Sequence, residues 1–249
     1  MTAKPVSENF RVVAAGPDLT VRCDPQWCVS EDDATTRLME SAWQIAQTQR
    51  GDKLYNDSLA VCLPRTASAS DIICGFTDYK HFIAQRMEPS LRARWHLQPL
   101  GVSGLLWIDE GLVLARRAAF VTTHPNLFDS VPAGCITQRV LLPSGLVDYR
   151  AQLLEEFEEE CGLSRTHIVS MTPVAFFENR EEAMFDVCLT LRVNARWSQI
   201  EAAMKACDEY YDPVCVPAKE IPQFIAAHRA QIIPSTIALI ETYGLAPAK

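Results

Sequence analysis

The sequence predicts an α+β protein in which helices cover both faces of a mixed β-sheet, an α/β/α sandwich, with an N-terminal α+β extension. The chain has 249 residues, of which 48% are hydrophobic and 22% charged, so it can bury a substantial core. Short apolar runs bounded by turn residues alternate with longer amphipathic stretches of helical period. The sequence pattern changes near residue 97, where an apolar run spaced by glycines begins. This change predicts a companion region over 1–96 and a larger domain over 97–249.

The composition argues against several classes of protein. The formal net charge of −8 disfavours a general nucleic-acid binder, because phosphate backbones demand clustered Lys and Arg. No apolar run approaches the roughly 20 residues that span a bilayer, and the polar N-terminal sequence lacks a secretory apolar segment. The nine cysteines form no tight framework, and no second ligand pair follows Cys23 and Cys28, so we expect reduced thiols without structural zinc. These features predict a cytoplasmic protein that does not enter membranes.

Apolar runs and helical periods define the elements of the companion region. In chain order they predict strands at 10–14 and 19–22, a helix at 32–50, strands at 58–63 and 71–76, and a helix at 77–88. Leu38, Trp43 and Ile45 occupy apolar positions of the first helix. Thr77 is the expected N-cap of the second helix, and Phe82 faces inward. We therefore expect residues 1–96 to fold and to pack against the larger domain.

The larger domain is predicted to begin with a hairpin across the turn DEG at 109–111, where Gly111 tolerates the positive φ of such turns. Its predicted elements are strands at 100–108 and 112–115, a helix at 148–161, strands at 168–178 and 185–193, a helix at 198–207, a strand at 214–216, and a helical stretch at 221–243 broken at Pro234. Asp148 supplies an N-cap oxygen to the helix at 148–161, and Gly162 is its natural C′ residue.

Five glutamates crowd into positions 155–160 of this helix. At 100° per residue, Glu156, Glu159 and Glu160 fall within one arc of about 100°. The neighbouring arc carries Leu154 and Phe157, which we expect to anchor the helix to a core. Clustered carboxylates repel one another, and hard divalent cations such as Mg²⁺ or Mn²⁺ relieve that repulsion. A solvated acidic face is the alternative interpretation.

The segment EEFEEECGL at 155–163 resembles the core of the Nudix box, whose pattern is Arg-Glu-apolar-x-Glu-Glu-x-Gly-apolar. Upstream, VPAGC at 131–135 resembles the Pro-x-Gly-Gly turn that opens the box. The departures are Glu155 in place of Arg, Cys135 in place of the second Gly, and a longer loop near 138–143. An Arg in the box normally braces the carboxylates, so a further acid at this position is expected to raise their pKa values.

The resemblance implies a Nudix diphosphatase, or pyrophosphohydrolase, acting on a nucleoside diphosphate linked to a second moiety. Mapped by motif, the metal ligands and catalytic residues would be Glu156, Glu159 and Glu160, holding Mg²⁺ or Mn²⁺. A general base is expected from the turn that carries Glu178, Glu181 and Glu182, with Glu178 preferred. A charged hairpin turn is the alternative interpretation of these three acids.

Substrate contacts are expected from the residues beside the box. Arg116 and Arg117 end a predicted strand and could hold phosphate oxygens, with a surface ion pair as the alternative. Gly134, in the opening turn, is expected to contact the substrate. The segment GFTDYKHF at 75–82 resembles one in Nudix proteins that act on nucleoside-diphosphate sugars. This favours an NDP-sugar, with ADP-ribose or a dinucleotide next.

Other functions stay open at this stage. A catalytically weakened Nudix-fold module that binds nucleotides or regulates a partner would account for the degenerate box. Isopentenyl diphosphate isomerases share the fold, but the sequence after His124 has Pro132 where their catalytic Cys is expected. RNA-end processing is disfavoured by the acidic charge balance. The expected partner is a small nucleoside-diphosphate substrate, without membrane or nucleic acid, and a homodimer is left open.

Overall fold

The computed structural model describes residues 9–51, 54–64 and 70–244. The strands are β1 (Phe10–Ala15), β2 (Thr20–Cys23), β3 (Ser58–Cys62), β4 (Asp71–Asp78), β5 (Leu100–Trp107), β6 (Leu112–Arg117), β7 (Phe128–Ser130), β8 (Ala133–Cys135), β9 (Ile168–Asn179), β10 (Met184–Val193) and β11 (Tyr210–Val216). The α-helices are α1 (Asp33–Arg50), α2 (Tyr79–Met87), α3 (Pro89–Trp95), α4 (Tyr149–Cys161), α5 (Trp197–Met204), α6 (Ile221–His228) and α7 (Pro234–Tyr243).

The larger sheet has the strand order β1-β9-β10-β5-β6-β11, with β7 paired to β6 and β8 paired to β5. Strands β5 and β10 are parallel, and the other pairs of this sheet are antiparallel, so the sheet is mixed as predicted. The predicted hairpin of β5 and β6 forms, with Trp107 opposite Leu112. Gly111 has no positive φ there; a Cβ would lie 2.3 Å from the carbonyl oxygen of Val216, so close packing against β11 requires the glycine.

Helices cover both faces of this sheet, each over its own hydrophobic cluster. One cluster joins α4 and α5, through Phe157 and Ile200, to Val102 and Leu189 of the sheet. The cluster on the opposite face brings α6 and α7 onto β5, β6 and β9. The break between α6 and α7 falls at Pro234, as predicted, because proline starts a helix readily but disrupts its interior. The predicted α/β/α sandwich is confirmed.

The companion region forms a smaller sheet, in the order β2-β4-β3, together with α1, α2 and α3. Its strand β1, however, is the edge strand of the larger sheet and pairs with β9. Val21 and Ile72 of the small sheet lie in the same hydrophobic cluster as Val102 and Phe157. Residues on both sides of the predicted boundary at 96 and 97 therefore contribute to one core.

Two expectations about the helices of this region were wrong. Leu38 and Ile45 are exposed, whereas Met39 and Ala46, each about 100° further round α1, are buried with Trp43. The buried stripe is thus displaced by one residue from the position that hydrophobicity alone suggested. The predicted N-cap at residue 77 is part of β4 instead, because that strand keeps its pairing with β3 up to Asp78 and α2 starts afterwards.

Two further observations concern helix length and the cysteines. No helix in the described ranges is both long and apolar enough to cross a bilayer. The nine cysteines are free thiols in this structure.

Candidate functional site

Helix α4 is oriented by a row of apolar side chains at spacings of four residues. Tyr149, Leu153, Phe157 and Cys161 are buried against the sheet, and the Tyr149 hydroxyl donates to the carbonyl of Leu19 at 2.8 Å. The prediction that residue 154 anchors the helix was wrong, because the apolar side chains of α4 that are buried in the hydrophobic cluster are those at 149, 153, 157 and 161. This orientation turns the box glutamates towards the opening loop.

The ends of α4 are fixed as the sequence predicts. Asp148 accepts a hydrogen bond from the backbone N–H of Ala151 at 3.0 Å, which caps the N-terminus. Gly162 ends the helix in the left-handed conformation, with φ of 66°. The two caps hold the helix in register with the loop that opens the box.

A cavity of about 600 Å³ lies beside this face of α4. Its walls come from the box, from the loop between β6 and β7, from the strands β5, β9 and β10, from α7, and from the companion region. Of the predicted site residues, the cavity brings together Glu156, Glu159, Glu160, Gly134 and Arg117. A volume of this size is typical of small-molecule sites, so the box opens onto a space that can hold a ligand.

Gly134 holds its place because the Glu156 carboxylate fills the adjoining space. A Cβ at residue 134 would lie 2.1 Å from Oε1 and 2.2 Å from Cδ of Glu156. The absence of a side chain at Gly134 therefore leaves room for the Glu156 carboxylate, a role separate from the predicted contact with substrate. Gln152 supports the same carboxylate, since its Nε2 donates to Oε1 at 2.9 Å.

Burial raises the pKa of Glu156 to about 7, with Glu159 and Glu209 adding repulsion and the Gln152 hydrogen bond acting in the opposite sense. Glu160 is only 3% exposed and accepts a hydrogen bond from the Ala133 backbone N–H at 2.9 Å. Burial, followed by repulsion from Glu156, raises the pKa of Glu160 well above its ordinary value. The carboxylates of Glu156 and Glu160 are thus desolvated and repel each other.

This donor set fits a hard divalent cation in its chemistry. The donors are carboxylate oxygens, and a cation would offset the burial and repulsion that raise the pKa values of Glu156 and Glu160. Among the described residues, no three acidic, histidine or cysteine side chains are already arranged as a set that could hold an ion. Among the described residues, the carboxylates therefore line the cavity without already forming a complete set of metal ligands.

The longer loop carries a positive charge to residue 155, where the box has Glu155 in place of an arginine. Arg139 lies in that loop, lines the cavity, and places Nη2 3.8 Å from the Glu155 carboxylate. It also forms an ion pair of 2.7 Å with Asp57 of the companion region. The loop that departs from the family pattern thus carries a cation to the acidic part of the helix.

The two predicted arginines lie in different environments. Arg117 lines the cavity, pairs with Asp129 at 3.2 Å and donates to the carbonyl of Thr123 at 3.1 Å. Arg116 is not among the residues that line the cavity. It packs over the Phe128 ring and pairs with Asp212 at 3.2 Å, which matches the ion-pair alternative. Side chains alternate along β6, so adjacent arginines cannot face the same side.

Glu178 does not line the cavity either. Its carboxylate pairs with Arg11 at 2.8 Å and Arg180 at 3.3 Å. The neighbouring Glu182 does line the cavity, and it pairs with His124 at 2.9 Å. The His124 hydrogen bond lowers the pKa of Glu182, and the same bond raises the pKa of His124.

Sequence reasoning missed several cavity residues that come from separate parts of the chain. Asp129 lies on β7, Asp186 lies on β10, and Glu209 precedes β11. Arg50 and Tyr79 come from the companion region, and both contact the Thr122 hydroxyl across the cavity wall. Tyr79 lies in the segment at 75–82 that the sequence singled out, whereas the other four residues belong to no local motif, and only the folded chain brings all five together.

Comparisons with known proteins place the fold. No model of a protein family matches the sequence, and no curated protein matches it. Among solved structures, the chain is similar to DR0079 from Deinococcus radiodurans, with a TM-score of 0.50 and 19% identity over 75% of this chain and 99% of that one. At this identity the similarity shows a shared fold.

Two other solved structures are less similar. A NUDIX hydrolase from Nitrosomonas europaea gives a TM-score of 0.40 and 16% identity over 59% of this chain and 88% of that one. The dihydroneopterin triphosphate pyrophosphohydrolase of E. coli gives a TM-score of 0.35 and 11% identity, over 58% of this chain and 93% of that one. The predicted fold class, an α/β/α sandwich around a mixed sheet, is confirmed, and DR0079 shares this fold; the box-like segment lies in the loop before helix α4 and in the helix itself.

Proposed function

We propose that the protein is a metal-dependent hydrolase of nucleoside diphosphates linked to a second moiety, a diphosphatase of the Nudix type. The observation that carries the proposal is the convergence of Glu156, Glu159 and Glu160 on one wall of a ligand-sized cavity. Glu209 adds a fourth carboxylate from outside the box. The raised pKa values of Glu156 and Glu160 support a cation there, because uncompensated carboxylates are costly to bury.

Glu156, Glu159 and Glu160 would hold Mg²⁺ or Mn²⁺, which when bound polarises a phosphoryl oxygen and lowers the pKa of a water molecule. The chain's own residues position the reactants. Gly134 and Gln152 orient the Glu156 carboxylate, and the Ala133 N–H orients that of Glu160. These supports hold the carboxylates in place, which is what precise placement of a diphosphate requires.

The phosphates need cationic contacts besides the metal, and the cavity offers arginines from three segments. Arg117, Arg139 and Arg50 all line it, and each carries a planar guanidinium that suits phosphate oxygens. Arg117 forms a largely buried ion pair with Asp129, whereas Arg139 forms an ion pair with Asp57 at the surface. We assign phosphate contact first to Arg139 because its surface ion pair is exchanged at little cost.

An NDP-sugar is the favoured substrate class. The segment at 75–82 carries the resemblance to NDP-sugar members, and its Tyr79 and Phe82 line the cavity. The Tyr79 hydroxyl donates to Thr122 at 3.2 Å, which ties the companion region to the loop over the box. The companion region therefore forms a wall against which the second moiety of the substrate would lie.

Product release from a panel of substrates tests the proposal. NDP-sugars, ADP-ribose, NADH and dinucleoside polyphosphates are incubated with Mg²⁺ or Mn²⁺, and the released phosphomonoesters are measured with a coupled phosphatase. We expect turnover of NDP-sugars that requires the cation. Turnover of another member alone would change the substrate class, and absence of turnover across the panel would overturn the hydrolase.

A second candidate is a binding module that has lost turnover. Glu155 in place of an arginine favours it, because this acid adds to the repulsion that raises the pKa of Glu156. Its signature would be saturable binding of a nucleotide without product. The same panel, followed by calorimetry, separates the two candidates.

A further inference from the structure

The cavity extends beyond the box to the face of the sheet that α7 covers. There, Asp186 of β10 lies opposite Phe177 of β9 and beside Gly101 of β5 in the strand register. All three residues line the cavity, together with Leu239 of α7. We call this part, defined by Gly101, Ser103, Phe177, Met184, Asp186, Cys188, Ile233 and Leu239, the α7 recess.

Asp186 is the charged group of the α7 recess. Its Oδ1 accepts a hydrogen bond from the Ser103 hydroxyl at 3.1 Å. A Cβ at residue 101 would lie 2.7 Å from the same oxygen, so the absence of a side chain at Gly101 leaves room for the carboxylate. Residues of β5 thus hold the Asp186 carboxylate in place at the cavity wall.

No cation within the described ranges forms an ion pair with Asp186. The acids Asp129 and Glu182 act on it repulsively, and Arg117 is already paired with Asp129. An ionised carboxylate in such surroundings needs hydrogen-bond donors to offset its desolvation. Ser103 supplies one donor, and the cavity side of the carboxylate leaves space for donors from a ligand.

Apart from Ser103 and Gly101, the other residues that define the α7 recess are apolar. Phe177, Cys188 and Leu239 belong to one buried hydrophobic cluster, and Met184 and Ile233 extend the wall. A polyol would leave its hydroxyl groups unsatisfied against such walls, whereas a heterocycle buries apolar faces and presents donors only at its edge. The chemistry of the α7 recess therefore fits a nucleobase.

We propose that the α7 recess binds guanine, with the Asp186 carboxylate accepting hydrogen bonds from two adjacent N–H donors of the base. Guanine alone among the common bases places two donors side by side, its N1–H and its 2-amino group. Adenine and cytosine place one amino group beside an acceptor, and uracil places one N–H between two acceptors. A carboxylate pairs best with two parallel donors, so it selects guanine over the others.

This inference rests on the proposed function, since it names the nucleotide of the same site. It makes the substrate a guanosine diphosphate linked to a second moiety. The box then lies at the diphosphate, and the α7 recess lies at the base. A site that requires buried donors from its ligand discriminates strongly against ligands that lack them.

Binding of nucleoside monophosphates tests the inference independently of turnover, because a diphosphatase cannot cleave them. GMP, IMP, AMP, UMP and CMP are titrated into the full chain by isothermal calorimetry in the presence of MgCl₂. We expect GMP to bind most tightly and IMP, which lacks the 2-amino group, to bind about tenfold more weakly. Equal affinity for GMP and IMP, or preference for another base, would overturn the inference.

Asp186→Asn keeps the shape of the side chain but turns an N–H donor towards one of the two base donors. The variant should lose the preference for GMP over IMP. Asp57→Asn is the matched control, because Asp57 lines the cavity in the companion region and pairs with Arg139. The control should keep the wild-type ratio of affinities. An Asp186→Asn protein that also keeps the ratio contradicts the inference, and the wild-type panel decides by itself if the variant does not fold.

Turnover separates this inference from the proposed function. Selective GMP binding without hydrolysis of any GDP-linked substrate would overturn the hydrolase and leave the α7 recess as a guanine site. Hydrolysis of several NDP-sugars with equal kcat/KM would overturn the guanine site and leave the hydrolase.

Discussion

The Glu156 carboxylate occupies the space that a side chain at Gly134 would need, with Oε1 2.1 Å from the position of such a Cβ. Glu156 lies on α4, and Gly134 lies in β8, which pairs with β5. The helix and the sheet can therefore approach closely only with glycine at this position. The contact fixes one box carboxylate against the sheet.

Gly134→Ala tests this contact. The added methyl group must displace the Glu156 carboxylate, so we expect cation-dependent turnover to fall by at least about tenfold, since small misplacements of reacting groups are costly. The comparison variant is Gly16→Ala, because Gly16 has a φ of 115° and no atom within 4 Å of its Cβ position. It should lose about 1 kcal/mol of stability through backbone strain and keep its activity. Full activity of Gly134→Ala in a steady-state assay would contradict the prediction.

Glu159→Gln tests the cation. Wild type should gain about 2.7 kcal/mol of stability when the free metal is a hundred times its dissociation constant, measured as a thermal shift with Mg²⁺ or Mn²⁺. The variant should lose most of this shift and its turnover. Without metal it should stay folded and be as stable as wild type or slightly more so, because one like charge is gone.

The control for that experiment is Glu158→Gln. Glu158 does not line the cavity; it pairs with Arg165 on the solvent side of α4. Its loss should change the stability little, because solvent screens an exposed ion pair, and should leave the metal shift intact. If both glutamine variants lose the shift equally, the assignment of the helix face is wrong.

Replacement of Arg117 should destabilise the protein far more than replacement of Arg116. Arg117→Gln leaves Asp129 without its cation in a largely buried position, which should cost about 3–5 kcal/mol in chemical denaturation. Arg116→Gln removes an ion pair and a contact with the Phe128 ring, worth about 1–2 kcal/mol. Arg116→Gln should keep its activity, since Arg116 does not line the cavity. Equal losses from the two variants would show that the pairing with Asp129 contributes little.

The pH dependence of stability should report on Asp186. Burial raises the pKa of Asp186 from 3.8 to about 6, with the Ser103 hydrogen bond acting in the opposite sense. Between these values the folded chain binds more protons than the unfolded chain, so this group lowers the free energy of unfolding as pH rises through the window. Asp186→Asn removes that loss. Relative to wild type, the variant should gain about 1–2 kcal/mol between about pH 4 and about pH 7, after allowance for solvent screening. A difference that does not change with pH in urea titrations would contradict the assignment.

The sequence by itself determined the elements whose signals are local. The caps at Asp148 and Gly162 define the ends of α4, and Phe157 anchors it as predicted, because capping and helical spacing depend only on near neighbours; the anchor expected at residue 154 was wrong. The grouping of Glu156, Glu159 and Glu160 around one arc follows from the same helical geometry. The resemblance to the Nudix box added the expectation of the fold.

Only the tertiary structure decided which residues meet across the cavity. Arg117 lines the cavity and Arg116 does not, although they are adjacent, because β6 alternates its faces. Glu182 replaces Glu178 at the cavity wall, and Asp186 gains its place through the register of β10 with β5 and β9. Long-range pairing of strands sets these positions, and no window of sequence contains both partners. Local chemistry therefore fixed the helix of carboxylates, and long-range packing fixed what surrounds it.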